Sequence, residues 1–285
     1  MDVLYDVPGH LLWRSQARVT AAVSDSLPGR SDIHAYAALL ALGVEEPQSQ
    51  QGLARLTGVS GTTMTAVAET LQADGLVERV RNPGDRRSYA LTRTPAGRSA
   101  LRRWAPHVRR LEARLTSALS DAQVSRLQQL LTVLVGDQLD VRTPPQLRES
   151  TGFLLSRAHQ RVHREFLTAL GPLDIEPRHY GTLRALTVGG PMTQGDLGQL
   201  LDVSPATVVQ IVDHLERRDL VARERDTVDR RAYRLRLRPG AARVVKQAGA
   251  IATSVLDDRL GGPTGQDRND LVTLLRLFVT TTTPA

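Results

Sequence analysis

An acidic residue followed by two arginines occurs twice in this 285-residue chain, as Asp85-Arg86-Arg87 and as Asp229-Arg230-Arg231. A carboxylate can orient a neighbouring guanidinium, and an oriented guanidinium presents a planar fork of donors suited to a phosphate or a base edge. The surroundings are basic as well. Residues 79–103 hold eight arginines against Asp85, a net of +7, and residues 223–247 hold eight arginines and Lys246 against Glu224, Asp226 and Asp229, a net of +6. The whole chain carries only +7, so the remainder is acidic, at −6. Of the 37 basic residues 36 are arginine, which GC-rich codon usage would also produce. Total basicity is therefore weak evidence for a nucleic-acid partner, but codon bias does not sort charge into two short zones.

Other chemistry finds less support. The absence of cysteine excludes disulfides, thiolate metal sites, cysteine nucleophiles and thiol redox sensing. His159 and His163 have the i, i+4 spacing of a helical metal pair, but Gln16 and Thr20 stand at the aligned positions of the first half and no third ligand follows, so no metal or other cofactor is expected. Paired carboxylates, a nucleophile elbow and a phosphate-binding loop are missing, and an enzyme is not expected. The composition is 41% hydrophobic and 24% charged, with no apolar run near the ~18 residues of a membrane span. Residues 1–30 lack the pattern of an export signal, so the expectation is a soluble, cytoplasmic protein with no membrane partner.

The elements that carry the two basic zones repeat. A shift of 144 residues superposes 52–97 on 196–241 without a gap, with 16 of 46 positions identical. Length alone suits two domains of about 140 residues. The expected division is one copy over 1–142, a linker at 143–147 around Pro144-Pro145, and a second copy over 148–285. Within the first copy, helices are expected at 10–27, 32–43 and about 50–57. A sharper helix follows Ser60, a good N-cap, and places Met64, Val67, Ala68 and Leu71 on one face. The second copy repeats it with Ser204-Pro205 and the stripe Val208, Ile211, Val212 and Leu215. Short strands at 76–81 and 88–92 flank the turn-forming Asn82-Pro83-Gly84-Asp85, and two further helices run to about 118 and from about 121 to 139.

Helix, short helix, groove-entering helix and basic-tipped hairpin is the order of a winged helix-turn-helix, since the major groove admits a helix and the minor groove an arginine-bearing loop. The runs Leu76-Val77-Glu78-Arg79, Asp85 to Gly97, Leu220-Val221-Ala222-Arg223 and Asp229 to Gly240 resemble the MarR family of transcriptional regulators. The resemblance covers nearly the whole chain, twice. It implies a mainly α fold with small β-wings, in which two tandem winged helix-turn-helix domains join through a helical dimerisation-like body with pseudo-two-fold symmetry. Members are normally homodimers, so this chain is expected to be a monomeric polypeptide acting as a pseudo-dimer.

The resemblance assigns Asp85, Arg86, Arg87, Asp229, Arg230 and Arg231 to the wings. Arg79, Arg81, Arg93, Arg223, Arg225 and Arg236 become phosphate neighbours, which position without specifying sequence. Base reading falls to the starts of the recognition helices: Ser60, Gly61, Thr62, Thr63 and Ala66 in copy one, and Ser204, Pro205, Ala206, Thr207 and Gln210 in copy two. Gln210 could pair bidentately with adenine, and the two sets differ, so the expected partner is duplex DNA bearing an imperfect palindrome. A small aromatic or phenolic effector is implied by the family, with candidate lining residues Trp13, Arg14, His34 and Tyr36 in copy one and Arg157, His159, His179 and Tyr180 in copy two. The expected function is ligand-responsive repression; the competing reading is a DNA-architectural or protein-interaction module without a tuned operator.

Overall fold

The computed structural model describes residues 4, 7–23, 32–44, 47–82, 85–225, 233–261 and 265–280, with Asp85, Arg86 and Arg87 described as backbone alone. Contacts divide the chain into two compact units, one of Met1–Leu12 with Gln160–Val272 and the other of Trp13–His159 with Thr273–Ala285. The units thus exchange terminal segments relative to the sequence copies. The segment 143–147, expected as a linker, lies inside the second unit, where Pro144 and Pro145 start a short helix rather than an irregular connection.

The unit of residues 13–159 holds the first head. Helix α1 (Pro8–Val23) enters it, and α2 (Ile33–Leu42), α3 (Gln50–Thr57) and α4 (Gly61–Ala73) follow. Each of the last three begins on a side-chain cap that supplies an acceptor for an otherwise orphaned N–H: Asp32 to Ala35, Ser49 to Gly52 and Ser60 to Thr63. Strands β1 (Val77–Asn82) and β2 (Asp85–Arg93) form an antiparallel hairpin in the register Val77↔Arg93 to Arg81↔Tyr89. A further bridge, Gln48↔Leu91, ties the α2–α3 connection to the wing. Helix α5 (Pro95–Leu115) starts on the Thr94 cap, α6 (Asp121–Val135) on a Ser120/Gln123 capping box, and α7 (Pro145–Arg148) precedes α8 (Thr151–Leu170). The stripe Met64, Val67, Ala68 and Leu71 packs with Leu39, Leu42, Leu53, Leu56, Leu91 and Trp104 in one core.

The other unit repeats the plan. It contains α9 (Pro177–Gly189), α10 (Gln194–Leu201), α11 (Pro205–Arg217), β3 (Val221–Arg225), β4 (Tyr233–Leu237) and α12 (Ala241–Leu260), with α13 (Gln266–Thr280) divided between the units. Strands β3 and β4 pair from Val221↔Leu237 to Arg225↔Tyr233, and Met192↔Leu235 matches the Gln48↔Leu91 bridge 144 residues earlier. Val208, Ile211, Val212 and Leu215 are buried with Leu183, Leu197, Leu220 and Leu235, and Leu4 joins the same core.

Two turns show what the fold demands of the chain. Copy one leaves α3 through Gly58 (φ 71°) and α4 through Gly75 (φ 67°), both in the left-handed region that glycine enters without strain. The equivalent positions in copy two are Asp202 (φ 51°) and Asp219 (φ 52°). Aspartate is among the few other residue types that visit this region routinely, so the same backbone path survives the loss of both glycines.

Candidate nucleic-acid interface

Each recognition-type helix is anchored in the same way. Ser60 Oγ accepts the Thr63 N–H at 3.0 Å and lies 2.8 Å from the Thr63 hydroxyl; Ser204 Oγ accepts the Thr207 N–H at 3.2 Å and lies 2.9 Å from the Thr207 hydroxyl. Four of the expected base-reading hydroxyls are thereby engaged in holding the helix start. Thr62 and Ala66 on α4, and Ala206 and Gln210 on α11, remain exposed. With them on the same helix face, at i, i+3, i+4 and i+7, stand Thr65 and Glu69 in head one and Val209 and Asp213 in head two, all exposed. Sequence reasoning passed over Thr65 and Val209, although a 3.6-residue period started at Thr62 or Ala206 reaches them directly.

The wing triplets are only partly on view. Asp85, Arg86 and Arg87 form the start of β2, whereas Asp229, Arg230 and Arg231 lie outside the described residues. The six expected phosphate neighbours divide sharply. Arg79 is exposed beside a cleft of about 370 Å³ bordered by Glu69, Gln72 and Ala73, and Arg81 is exposed with its guanidinium 4.7 Å from the Tyr89 ring centroid. Arg225 is also exposed. Arg93 instead reaches back to the Leu39 carbonyl near the end of α2, at 3.5 Å.

Arg223, the counterpart of Arg79, is clamped to α11. Its Nη2 donates to Asp213 at 2.7 Å, its Nη1 to Glu216, and its backbone N–H to Glu216 Oε1 at 2.9 Å. Arg236 pairs with Glu224 at 2.8 Å. Arg93 and Arg223 thus both tie the wing to a helix. The residues aligned with Asp213 and Glu216 are Glu69 and Gln72, which makes the matching position of head one less acidic.

Head two also carries a histidine pair with no counterpart in head one. The rings of His179, at the start of α9, and His214, in the last turn of α11, stack 4.2 Å apart and within 6° of parallel. His179 Nδ1 accepts the Glu176 N–H at 3.0 Å, so that nitrogen carries no proton; His214 Nε2 donates to the Asp174 carbonyl at 2.9 Å. Arg218 donates to that carbonyl at 2.7 Å. Burial, then the neighbouring His214, Arg178 and Arg218, push His179 down to about 4, against the opposing charge of Asp174. The unfolded chain binds this proton near pH 6.5 and the native state does not until about 4. The stability of this unit is thus expected to fall as pH drops through that window, by up to ~1.4 kcal/mol per pH unit. Denaturant midpoints at pH 7, 6 and 5 for wild type and His179→Gln test this; equal slopes in the two proteins would refute it.

The expected effector residues are scattered by role. Tyr36 and Tyr180 are buried core residues, each with its phenol pKa raised by burial, and Tyr180 meets Phe166 edge-on with ring centroids 5.7 Å apart. His179 is occupied by the stack. Arg157 donates to the Gln138 carbonyl and lies over Gly58, where a Cβ would overlap its side chain. Trp13, Arg14, His34 and His159 are half-buried. Arg157 and His159 fall in the unit of head one, and His179 and Tyr180 in that of head two, so the four residues grouped as one copy's pocket do not share a unit.

Paired helices ending in a capped recognition-type helix, followed by a two-stranded hairpin with basic residues, define a winged helix-turn-helix protein, with the motif present twice. The MarR family model matches residues 29–88 and again 173–232, a displacement of 144 residues at both ends. A transcriptional regulatory protein described as putative for the hcr operon of Thauera aromatica is 32% identical over 137 residues, 48% of this chain and 78% of that protein. The transcriptional repressor NicR of Pseudomonas putida is 28% identical over 137 residues, covering 48% and 87%. Among solved structures, CouR from Rhodococcus jostii RHA1 bound to p-coumaroyl-CoA is 26% identical, covers 49% of this chain and 98% of that one, and gives a TM-score of 0.42. The chain belongs to the MarR family and is a transcriptional regulator of the DNA-binding type. No helix among the described residues is long and apolar enough to cross a membrane.

Proposed function

We propose that this protein is a sequence-specific repressor in which the two copies, residues 1–142 and 148–285, act as the halves of a pseudo-dimer on an imperfect palindrome, with release by a small aromatic or phenolic ligand. The observation that carries the reading is the pair of capped helices with exposed, non-identical faces: Thr62 and Ala66 in one head, Ala206 and Gln210 in the other. A carboxamide can bond adenine N6 and N7 together, whereas alanine offers only a methyl, so the heads favour different half-sites. Half-sites are expected about 10 bp apart, one helical turn, so that both heads address the same side of the duplex. NicR, described as a repressor, supports the direction of regulation. Arg79, Arg81 and Arg225 contact phosphates, and the wing triplets enter the minor groove.

Selection of binding sites from a random duplex library, followed by footprinting on the region beside the protein's own gene, tests the proposal. The expected result is a protected asymmetric site whose affinity falls on symmetrising either half. Preference for a perfect palindrome over every asymmetric site would remove the unequal-head reading. Uniform protection of unrelated DNA would replace it with an architectural role. Competition by small aromatic acids is the arm that tests release.

A further inference from the structure

The exposed face of the second recognition-type helix carries an apolar side chain beside the residues placed to read bases. Val209 is 42% exposed on α11, the one exposed large hydrophobic residue on either recognition-type helix among the described residues. It shares the exposed face with Ala206 and Gln210, at the edge next to the buried stripe. Valine is a poor helix former at a solvated position, so local stability does not account for it. Its head-one counterpart, Thr65, has the same branched shape. The Thr65 hydroxyl donates to the Gly61 carbonyl at 3.0 Å, with Gln50 Oε1 3.4 Å away, so its hydrogen is committed within the protein. Its methyl is the group left to match valine. A branched side chain on a helix holds few rotamers and loses little freedom on contact.

Building on the sequence-specific reading above, we propose that Val209 and Thr65 are specificity-determining residues that each read the C5-methyl group of a thymine in the major groove. Thymine is the base that presents a methyl there, and apolar side chains recognise it by contact rather than by hydrogen bonding. The two half-sites then share a thymine at the position facing residues 65 and 209. They differ at the neighbouring position, where Gln210 reads adenine and Ala66 does not.

The test uses the full chain and the operator obtained by selection. Each thymine is replaced singly by deoxyuridine, which keeps base pairing and removes only the methyl. Wild-type protein should lose about fourfold in affinity at one thymine per half-site, the equivalent of one buried methyl-sized group. Val209→Ala should abolish the penalty in one half-site and leave the other, whereas Val209→Thr should retain both. Circular dichroism checks that the alanine variant is folded, which its better helix propensity favours. If no deoxyuridine substitution costs affinity, or if Val209→Ala keeps both penalties, this assignment is overturned while the selected operator stands. A selection that returns no preferred sequence overturns the sequence-specific reading, and this assignment with it.

Discussion

Alanine at both Arg87 and Arg231 is expected to weaken binding to the selected operator by a hundredfold or more and to lower the slope of log affinity against log salt by about two. Each arginine in a desolvated anionic site makes charge-assisted bonds of roughly 1.5–3 kcal/mol, and two such losses at the lower end already reach about a hundredfold. The slope change is the sharper readout. Release of a condensed counterion accompanies each neutralised phosphate, so a variant that merely unfolds part of the protein loses affinity without losing two charges' worth of salt dependence. The hairpin itself should survive, because its register from Val77↔Arg93 to Arg81↔Tyr89 is a backbone ladder. Unchanged affinity together with an unchanged slope would remove these arginines from the interface. A drop confined to one half-site, seen with the single variants, would instead rank the two heads.

The second large effect is on stability. Replacing Glu112 by alanine should lower the unfolding free energy by about 3 kcal/mol, since it strips acceptors from the start of α8. Glu112 projects from α5 and takes the Ser150 hydroxyl at 2.5 Å, the Thr151 N–H at 3.1 Å and the Gly152 N–H at 3.2 Å. Those are donors at the first turn of a 20-residue helix, which has no intrahelical partner for them. A carboxylate there also suits the positive end of the helix dipole. Burial raises the Glu112 pKa, prevailing over the hydrogen bonds from Ser150, Gly152 and Thr151 that favour the carboxylate. Glu112→Gln keeps the volume and one acceptor, so it should cost about 1 kcal/mol, less than alanine. Urea unfolding of the full chain measures both. A Glu112→Ala midpoint equal to that of wild type would mean that water replaces the carboxylate without loss. The aligned residue of copy two is the buried Leu256, so this cap belongs to one unit alone.

Element positions were largely legible because their signals are local. Ser60 and Ser204 are followed by helices with an apolar residue every third or fourth place, and both helices form where those signals put them, at Gly61–Ala73 and Pro205–Arg217. The last helix of copy one illustrates the limit. It was expected from about 121 to 139 but ends at Val135, where Gly136 (φ 53°) turns the chain and a single 3₁₀ turn follows. The apolar period of Leu127, Leu130, Leu131 and Leu134 carries no information about what comes after its final leucine.

The candidate interface was legible by position but not by role. Arg79 and Arg223 are indistinguishable in the aligned sequence, yet one borders an open cleft and the other is held by Asp213 and Glu216. The difference lies in residues ten and seven places before the arginine, on another element, whose reach depends on how the hairpin packs on the helix. Tyr36 and Tyr180 likewise allow either a core or a pocket-lining role in the sequence, and both are buried in the structure.

By itself, the sequence determined that one winged helix-turn-helix plan is written twice at an interval of 144 residues, with basic zones at matching points, because caps, periodicity and charge runs are properties of neighbours along the chain. Tertiary structure alone decided which cations stay available, which histidines meet, how Glu112 caps a helix 38 to 40 residues away, and that the compact units exchange terminal segments. Those outcomes depend on pairings between distant elements, and such pairings are selected by the burial and hydrogen-bond satisfaction of the whole assembled core rather than by any local pattern.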